Sequence, residues 1–126
     1  MATIKTLDNS KYDHGFKVGS YWPFTFTRKI QNPITLEWSV VDITGMTGRV
    51  IYRLSSVDGS IIHTVSSGSI TVTGTEGKSE WGLMPAVTVL FTPNLWAYFD
   101  LELTPADGKV WQSGTMRFKP VQEVTR

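Results

Sequence analysis

The sequence predicts an all-β domain built as a β-sandwich of seven to eight short antiparallel strands. Three observations predict this class: apolar and polar residues alternate with a period of two, turn signals made of Gly, Asp and Pro separate the alternating runs, and no run has the 3.6-residue period of a helix. A small barrel has the same spacing, but strands with one apolar face need a second sheet to cover it, which favours the sandwich.

The chain of 126 residues has material for one core, since 40% of its residues are apolar. The start of the chain is polar and contains glycine, so we expect an extended N-terminal arm over residues 1–19. Residues 20–126 are then expected to form a single sandwich domain that ends in a short C-terminal tail.

The first strand is predicted where Trp22, Phe24 and Phe26 alternate with small or polar residues. Pro23 has no amide donor, which favours a position at the edge of a sheet. The same alternation recurs at Ile34, Leu36 and Trp38. We therefore expect a second strand there, with the Trp38 ring in the core.

The middle of the chain contains further alternating runs. The Asp58-Gly59 pair predicts a hairpin between the run that ends at Leu54 and the run that begins at Ile61. The residues expected on the apolar faces of this region are Val50, Tyr52, Leu54, Ile70, Val72, Trp81 and Leu83.

Residues 85–93 allow two interpretations, a strand with Val87, Val89 and Phe91 on one face or a short irregular connection between prolines. Beyond them, a strand is predicted with its inward face formed by Phe99, Leu101 and Leu103. Asp107-Gly108 predicts a turn, and the last two runs are expected at residues 110–111 and 115–119.

The bulk composition disfavours several function classes. The formal charge is +1 and the Lys and Arg residues are scattered, so no nucleic-acid partner is expected. No apolar run approaches the roughly 20 residues of a membrane span, and the first residues lack the features of a signal peptide. We expect a protein made in a cytoplasm that does not insert into a membrane.

The sequence offers no constellation that predicts catalysis. Cysteine is absent and the two histidines, His14 and His63, lie far apart, so neither a metal site nor a cofactor site is expected. Asp100 and Glu102 project from one side of a strand about 7 Å apart, but they alternate with apolar residues as on any half-exposed strand. We expect a protein that is not an enzyme and that acts by binding or assembly.

Two tryptophans, Trp96 and Trp111, are out of phase with the apolar faces of their strands. Together with Tyr98 they are candidates for a contact surface, because aromatic anchors carry much of the energy of protein interfaces. The same residues, with the two carboxylates, also permit a carbohydrate- or cell-surface-binding module. Packing against residues 85–93 is an equally good explanation of both tryptophans.

The order of turn and strand motifs resembles that of a known family of virion proteins. The motifs are, in order, Tyr21-Trp22-Pro23-Phe24-Thr25-Phe26-Thr27, Asp42-Ile43-Thr44-Gly45-Met46, Gly68-Ser69-Ile70-Thr71-Val72, Gly77-Lys78, Ala97-Tyr98-Phe99-Asp100-Leu101-Glu102-Leu103, Asp107-Gly108-Lys109-Val110 and Glu123-Val124-Thr125-Arg126. From about Gly19 to the C-terminus, the chain is similar to small virion proteins of tailed bacteriophages and prophages. It resembles in particular the immunoglobulin-like N-terminal domain of phage baseplate upper proteins.

This resemblance implies an immunoglobulin-like sandwich and a structural or assembly role in a virion. The implied positions are a tail, baseplate or neck adaptor, or a capsid decoration. The implied partners are other phage virion proteins and copies of the chain itself in a symmetric assembly. The N-terminal arm and the C-terminal tail are also expected to make contacts, together with Trp96, Tyr98 and Trp111. The candidate interface residues are Tyr12, Phe16, Trp96, Tyr98, Trp111, Val121 and Val124.

Overall fold

The computed structural model describes residues 5–6, 16–56 and 59–122. Those residues form eleven strands, one helical turn and two 3-10 turns. The strands are β1 (Lys5–Thr6), β2 (Trp22–Thr27), β3 (Lys29–Gln31), β4 (Trp38–Val40), β5 (Thr47–Leu54), β6 (Ile61–Val65), β7 (Thr71–Thr73), β8 (Lys78–Leu83), β9 (Ala97–Thr104), β10 (Trp111–Gln112) and β11 (Met116–Phe118). The helical turn α1 is Pro85–Thr88, and the 3-10 turns are Ser67–Ser69 and Gly74–Glu76.

The described strands form two main sheets and one separate hairpin. The larger sheet has the order β1-β11-β9-β5-β6, with β10 also paired to β9, and the smaller one has the order β2-β8-β7. All the strand pairs are antiparallel except β1 with β11. The predicted all-β sandwich class is confirmed. The structure has more strands than the seven or eight expected, because several are only two or three residues long.

The core lies between the two main sheets and is rich in aromatic rings. Phe24 of β2 packs across the gap against Tyr52 of β5 and Phe99 of β9, with ring centroids 5.8 and 5.4 Å away. Trp22 and Trp81 are buried, as predicted. The period-two pattern therefore identifies the inward faces of β2, β5, β8 and β9.

One hydrogen bond joins the two sheets inside this core. The Trp81 indole Nε1–H donates to the Tyr52 hydroxyl over 2.8 Å, and both residues are buried. An indole N–H in a core needs an acceptor, because desolvation without one is costly. The bond therefore ties the smaller sheet to the larger one at this point.

The N-terminal segment joins the sandwich before residue 20. Phe16 is fully buried and packs on Phe118 with ring centroids 4.5 Å apart. The amide of Val121 donates to the Phe16 carbonyl, and the amide of Val18 donates to the Val121 carbonyl. Residues 16–19 thus belong to the domain and not to an arm. One aromatic residue among polar neighbours carries no periodic signal, although burying its ring contributes substantially to the core.

The segment predicted as a core strand around Trp38 is instead an exposed hairpin. Among the described residues, β3 and β4 pair only with each other, and every residue from 29 to 40 is exposed. Trp38 has 63% of its surface exposed, so its predicted place in the core is wrong. We call residues 29–40 the apolar arm. Alternation shows that a segment has an apolar side, but it does not show what covers that side.

The ambiguous residues 85–93 form an irregular connection and not a strand. Pro85 begins the helical turn α1 at the position where its missing amide costs nothing. Turns follow through residue 95. No helix in the described ranges is long and apolar enough to cross a membrane.

Candidate functional site

The apolar arm is tied to the sandwich at its root. The Arg28 amide donates to the Gly77 carbonyl over 2.9 Å, and the Val41 amide donates to the Arg28 carbonyl over 2.9 Å. Gly77 has a φ of +63°, and a Cβ there would approach Val40 Cγ1 to 2.7 Å. The turn between β7 and β8 therefore needs glycine to hold the base of the arm in place.

The tip of the arm is held by its own hydrogen bonds. The Asn32 side-chain oxygen accepts from the amides of Ile34 and Thr35 at 2.8 and 3.1 Å, and the Asn32 carbonyl accepts from the Leu36 amide at 2.8 Å. Leu36 has a φ of +64°, in the left-handed region. Local bonds of this kind give the tip a defined shape without contact to the body of the protein.

The arm presents apolar side chains on both of its faces. Gln31 lies opposite Trp38, whereas Ile30 lies opposite Ser39, so Trp38 and Ile30 project to different sides. Ile34 at the tip is 90% exposed. The exposed apolar side chains of the arm are Ile30, Ile34, Leu36, Trp38 and Val40. A two-stranded hairpin this short is marginal by itself in water, which favours a bound state.

A second exposed apolar surface lies in the connection between β8 and β9. We call it the loop patch, and its side chains are Met84, Val89, Leu90 and Leu95. Residues 81–99 contain no Asp, Glu, Lys or Arg. The buried Thr88 hydroxyl donates to the Ser20 carbonyl over 2.8 Å and accepts from the Gly19 amide over 3.0 Å. These bonds fasten the helical turn to the start of β2.

The arm and the loop patch lie at opposite ends of the β2–β8 pair. Thr27, which leads into the arm, is opposite Lys78, whereas Trp22 is opposite Leu83, which leads into the loop patch. The six residues of β8 separate the two ends by about 17 Å at the rise of a strand. The arm of one molecule is therefore remote from the loop patch of the same molecule.

The outward face of the larger sheet is charged and paired. Arg49 donates to Glu102 Oε1 through Nε at 3.0 Å and Nη2 at 2.6 Å, and Gln112 donates to Glu102 Oε2 at 3.2 Å. Asp100 is half-buried on the same face of β9 as Glu102. Burial, and then the nearby Glu102, raise the pKa of Asp100, while Arg53 and Arg49 oppose the shift.

The raised pKa of Asp100 predicts how stability depends on pH. The folded chain holds this proton more tightly than the unfolded chain, so stability falls as pH rises from below the ordinary value of 3.8 through the raised pKa. Asp100→Asn is expected to remove this fall and to leave stability at pH 7 within about 1 kcal/mol of wild type, since solvent screens a half-exposed group. Urea unfolding across a pH series measures the slope.

Asp42→Asn is the matched control with the opposite sign. Asp42 accepts hydrogen bonds from the Thr44 hydroxyl and amide, which lower its pKa. The contribution of the Asp42 carboxylate to stability is present above its ordinary pKa and is lost as pH falls. Asp42→Asn should therefore flatten the acid side of the plot of stability against pH. If stability changes with pH equally in wild type and in Asp100→Asn, burial does not raise the pKa of Asp100.

The predicted aromatic candidates are half-buried and lie apart. Arg117 and Lys119 stand over the Trp96 ring, at 4.1 and 4.9 Å from its centroid. Trp111 lies opposite the buried Leu103, at the other end of β9, with Arg28 at 4.3 Å from its centroid. Each ring therefore packs against a cation of its own molecule.

The other predicted contact residues have different outcomes. Tyr98 is half-buried on the outward face of β9, opposite Arg53. Val121 is half-buried and is hydrogen-bonded to the segment that contains Phe16. Phe16 is a core residue with no exposed surface, so it does not form the contact expected of it. Tyr12 and Val124 lie outside the described residues.

The sequence interpretation missed both exposed apolar surfaces. Asn32-Pro33 is a turn signal that separates β3 from the run at Trp38, and it indicated a short hairpin. The uncharged stretch 81–99 was the signal for the loop patch. Among the described residues, no three His, Asp or Glu side chains come together as a metal site would need.

Comparisons with known proteins found little that is similar. No family model matches the chain, and no curated protein matches it. Among solved structures, the chain is similar to AggA, the major subunit of aggregative adherence fimbriae type I from Escherichia coli. The two share 14% identity over 96% of this chain and 92% of that chain, with a TM-score of 0.26. A likeness of this strength carries no argument about function.

Proposed function

We propose that this chain is a non-enzymatic structural protein of a tailed-bacteriophage virion that acts through protein–protein contacts. The observation that carries the proposal is the apolar arm. It is a hydrogen-bonded hairpin on which Trp38 and Ile34 are exposed to solvent. An exposed apolar surface of this size is typical of a protein interaction site. A structural protein of a particle acts by binding its neighbours. It needs contact surfaces for this and no catalytic site.

The phage setting is supported by the sequence motifs alone. The motif over residues 21–27, the motif over residues 97–103 and the Asp107-Gly108 turn occur in the order of the resembling virion proteins. The positions that we propose are a tail, baseplate or neck adaptor, or a capsid decoration. The partners are other virion proteins and copies of this chain, and the location is the virion.

The carbohydrate-binding alternative is less well supported. A glycan platform needs exposed aromatic rings side by side, whereas Trp96 and Trp111 lie at opposite ends of β9 and each stacks with a cation of its own molecule. On the assembly proposal, oligosaccharides should leave the tryptophan fluorescence of the chain unchanged. Quenching that saturates with a glycan would favour the alternative.

Purified particles provide the direct test of the proposed function. Particles from the host strain that carries the gene should contain the chain when they are analysed by mass spectrometry after a density gradient. The chain should be present at a constant ratio to the other particle proteins across the gradient peak, as a structural part would be. Particles that form normally and lack the chain would contradict the proposal.

A further inference from the structure

We propose that copies of this chain bind head to tail, with the apolar arm of one copy on the loop patch of the next. The inference rests on the proposed assembly role and names the partner as a second copy of this chain. The arm contributes residues 29–40 from one end of the β2–β8 pair. The loop patch contributes Met84, Val89, Leu90 and Leu95 from the other end.

Exposed apolar side chains are concentrated in these two surfaces. Of the twelve large hydrophobic side chains that are exposed among the described residues, five lie in the arm and four in the loop patch. The other three, Tyr21, Ile61 and Val110, are far apart in the sequence. Water is excluded most favourably when these two surfaces cover each other.

The charge pattern also matches the arm to the loop patch. Residues 30–36 of the arm and 81–99 around the loop patch carry no charged side chain. The outward face of the larger sheet is a poor alternative, because an arm there would bury the Arg49–Glu102 ion pair away from water. Contact between the uncharged residues 30–36 of the arm and the loop patch carries no such cost.

The available area fits a weak contact between copies. At roughly 100 Å² exposed per large side chain, the five arm residues and the four patch residues together expose about 900 Å² of apolar surface, and one contact covers only the part on one face of the arm. Stable interfaces bury about 1,200–2,000 Å² in total, so a contact of this size is weak by itself and association should depend on concentration. Each copy forms two such contacts, one through its arm and one through its loop patch.

The head-to-tail arrangement determines the kind of assembly. The arm and the loop patch of one molecule adjoin opposite ends of β8 and are both exposed, so the contact joins two different surfaces of two copies. Only a reciprocal exchange of arms would close two copies into a two-fold dimer, whereas the head-to-tail contact leaves one arm and one loop patch open. The head-to-tail contact continues to the next copy and produces a ring or an open chain.

Two variants test the two surfaces separately. The arm variant is Ile34→Asp with Leu36→Asp, since both residues are exposed and aspartate tolerates the positive φ at position 36. The patch variant is Met84→Asp with Leu90→Asp, since Met84 is the N-cap residue of α1, where aspartate is favourable. Circular dichroism and thermal unfolding confirm that each variant is folded.

Sedimentation velocity over a concentration series is expected to show wild-type chains associating beyond the dimer. Each variant alone should be a monomer, with association weakened at least about tenfold. An equimolar mixture of the variants should form dimers and nothing larger, because one intact arm meets one intact loop patch. Val110→Asp, at an exposed apolar residue outside both surfaces, should associate as wild type does.

Three outcomes would overturn the inference. They are a wild-type chain that stays monomeric at every concentration, a patch variant that still dimerises through its arm, and a variant mixture that stays monomeric. The particle test is independent of these results. If the chain is present in virions and the variants associate normally, the inference fails and the proposed function stands. If the chain associates as expected and is absent from virions, the proposed function fails and the head-to-tail contact stands.

Discussion

Trp22→Ala is expected to lower the free energy of unfolding by about 3–5 kcal/mol, a large part of the total for a domain of this size. Trp22 is fully buried, and its ring packs on Phe91 and Phe118 with centroids 5.0 and 5.5 Å away. Its indole N–H also donates to the Lys17 carbonyl over 2.8 Å. The substitution removes both the packing and the donor that holds the N-terminal segment. Urea unfolding followed by circular dichroism measures the loss.

Trp38→Ala is the matched control, because Trp22 and Trp38 both lie on the apolar phase of an alternating run and the sequence predicts both to be buried. Trp38 lies exposed on the arm, so its removal should change the free energy of unfolding by no more than about 0.5 kcal/mol. Dilute protein is needed, because association through the arm would add stability of its own. If Trp22→Ala does not fold, Trp22→Phe retains a ring and should cost less. Equal losses at positions 22 and 38 would show that the arm packs into the core.

Tyr52→Phe is expected to cost about 1–3 kcal/mol, although it removes only one oxygen atom. The Tyr52 hydroxyl accepts the Trp81 indole N–H between the two sheets, and Trp81 is only 6% exposed. In the unfolded chain the indole N–H is hydrogen-bonded to water. Without the Tyr52 hydroxyl it is buried in the folded protein with no acceptor to replace that water. Thermal and urea unfolding at constant pH measure the change.

A double-mutant cycle assigns this loss to the hydrogen bond. Trp81→Phe removes the donor, so Tyr52→Phe should cost much less in the Trp81→Phe background than in wild type, with a coupling of about 0.5–3 kcal/mol. Tyr21→Phe is the control for removal of a tyrosine hydroxyl, since Tyr21 is half exposed to water. Additive losses at positions 52 and 81 would mean that the two side chains do not interact in the core.

The sequence by itself determined the all-β class and the inward faces of the main strands. Phe99, Leu101 and Leu103 are buried, while Asp100 and Glu102 between them point outward, because successive side chains of a strand alternate between faces. The edge position of β2 was also predictable, since Pro23 offers no amide to a second neighbour. The turn at Gly108 followed from its residue types, and it has a φ of +79°.

Tertiary structure alone decided which apolar sides are covered. Trp22 and Trp38 have the same alternating neighbours, but β2 pairs with β8 over the core and β4 pairs only with β3 among the described strands. Burial of a side chain depends on elements that are distant in sequence, and alternation reports only local geometry. Phe16 shows the reverse case, a core ring without a pattern. The candidate site, the apolar arm, thus consists of apolar side chains that no other described part of the chain covers. Only the packed structure shows which side chains these are.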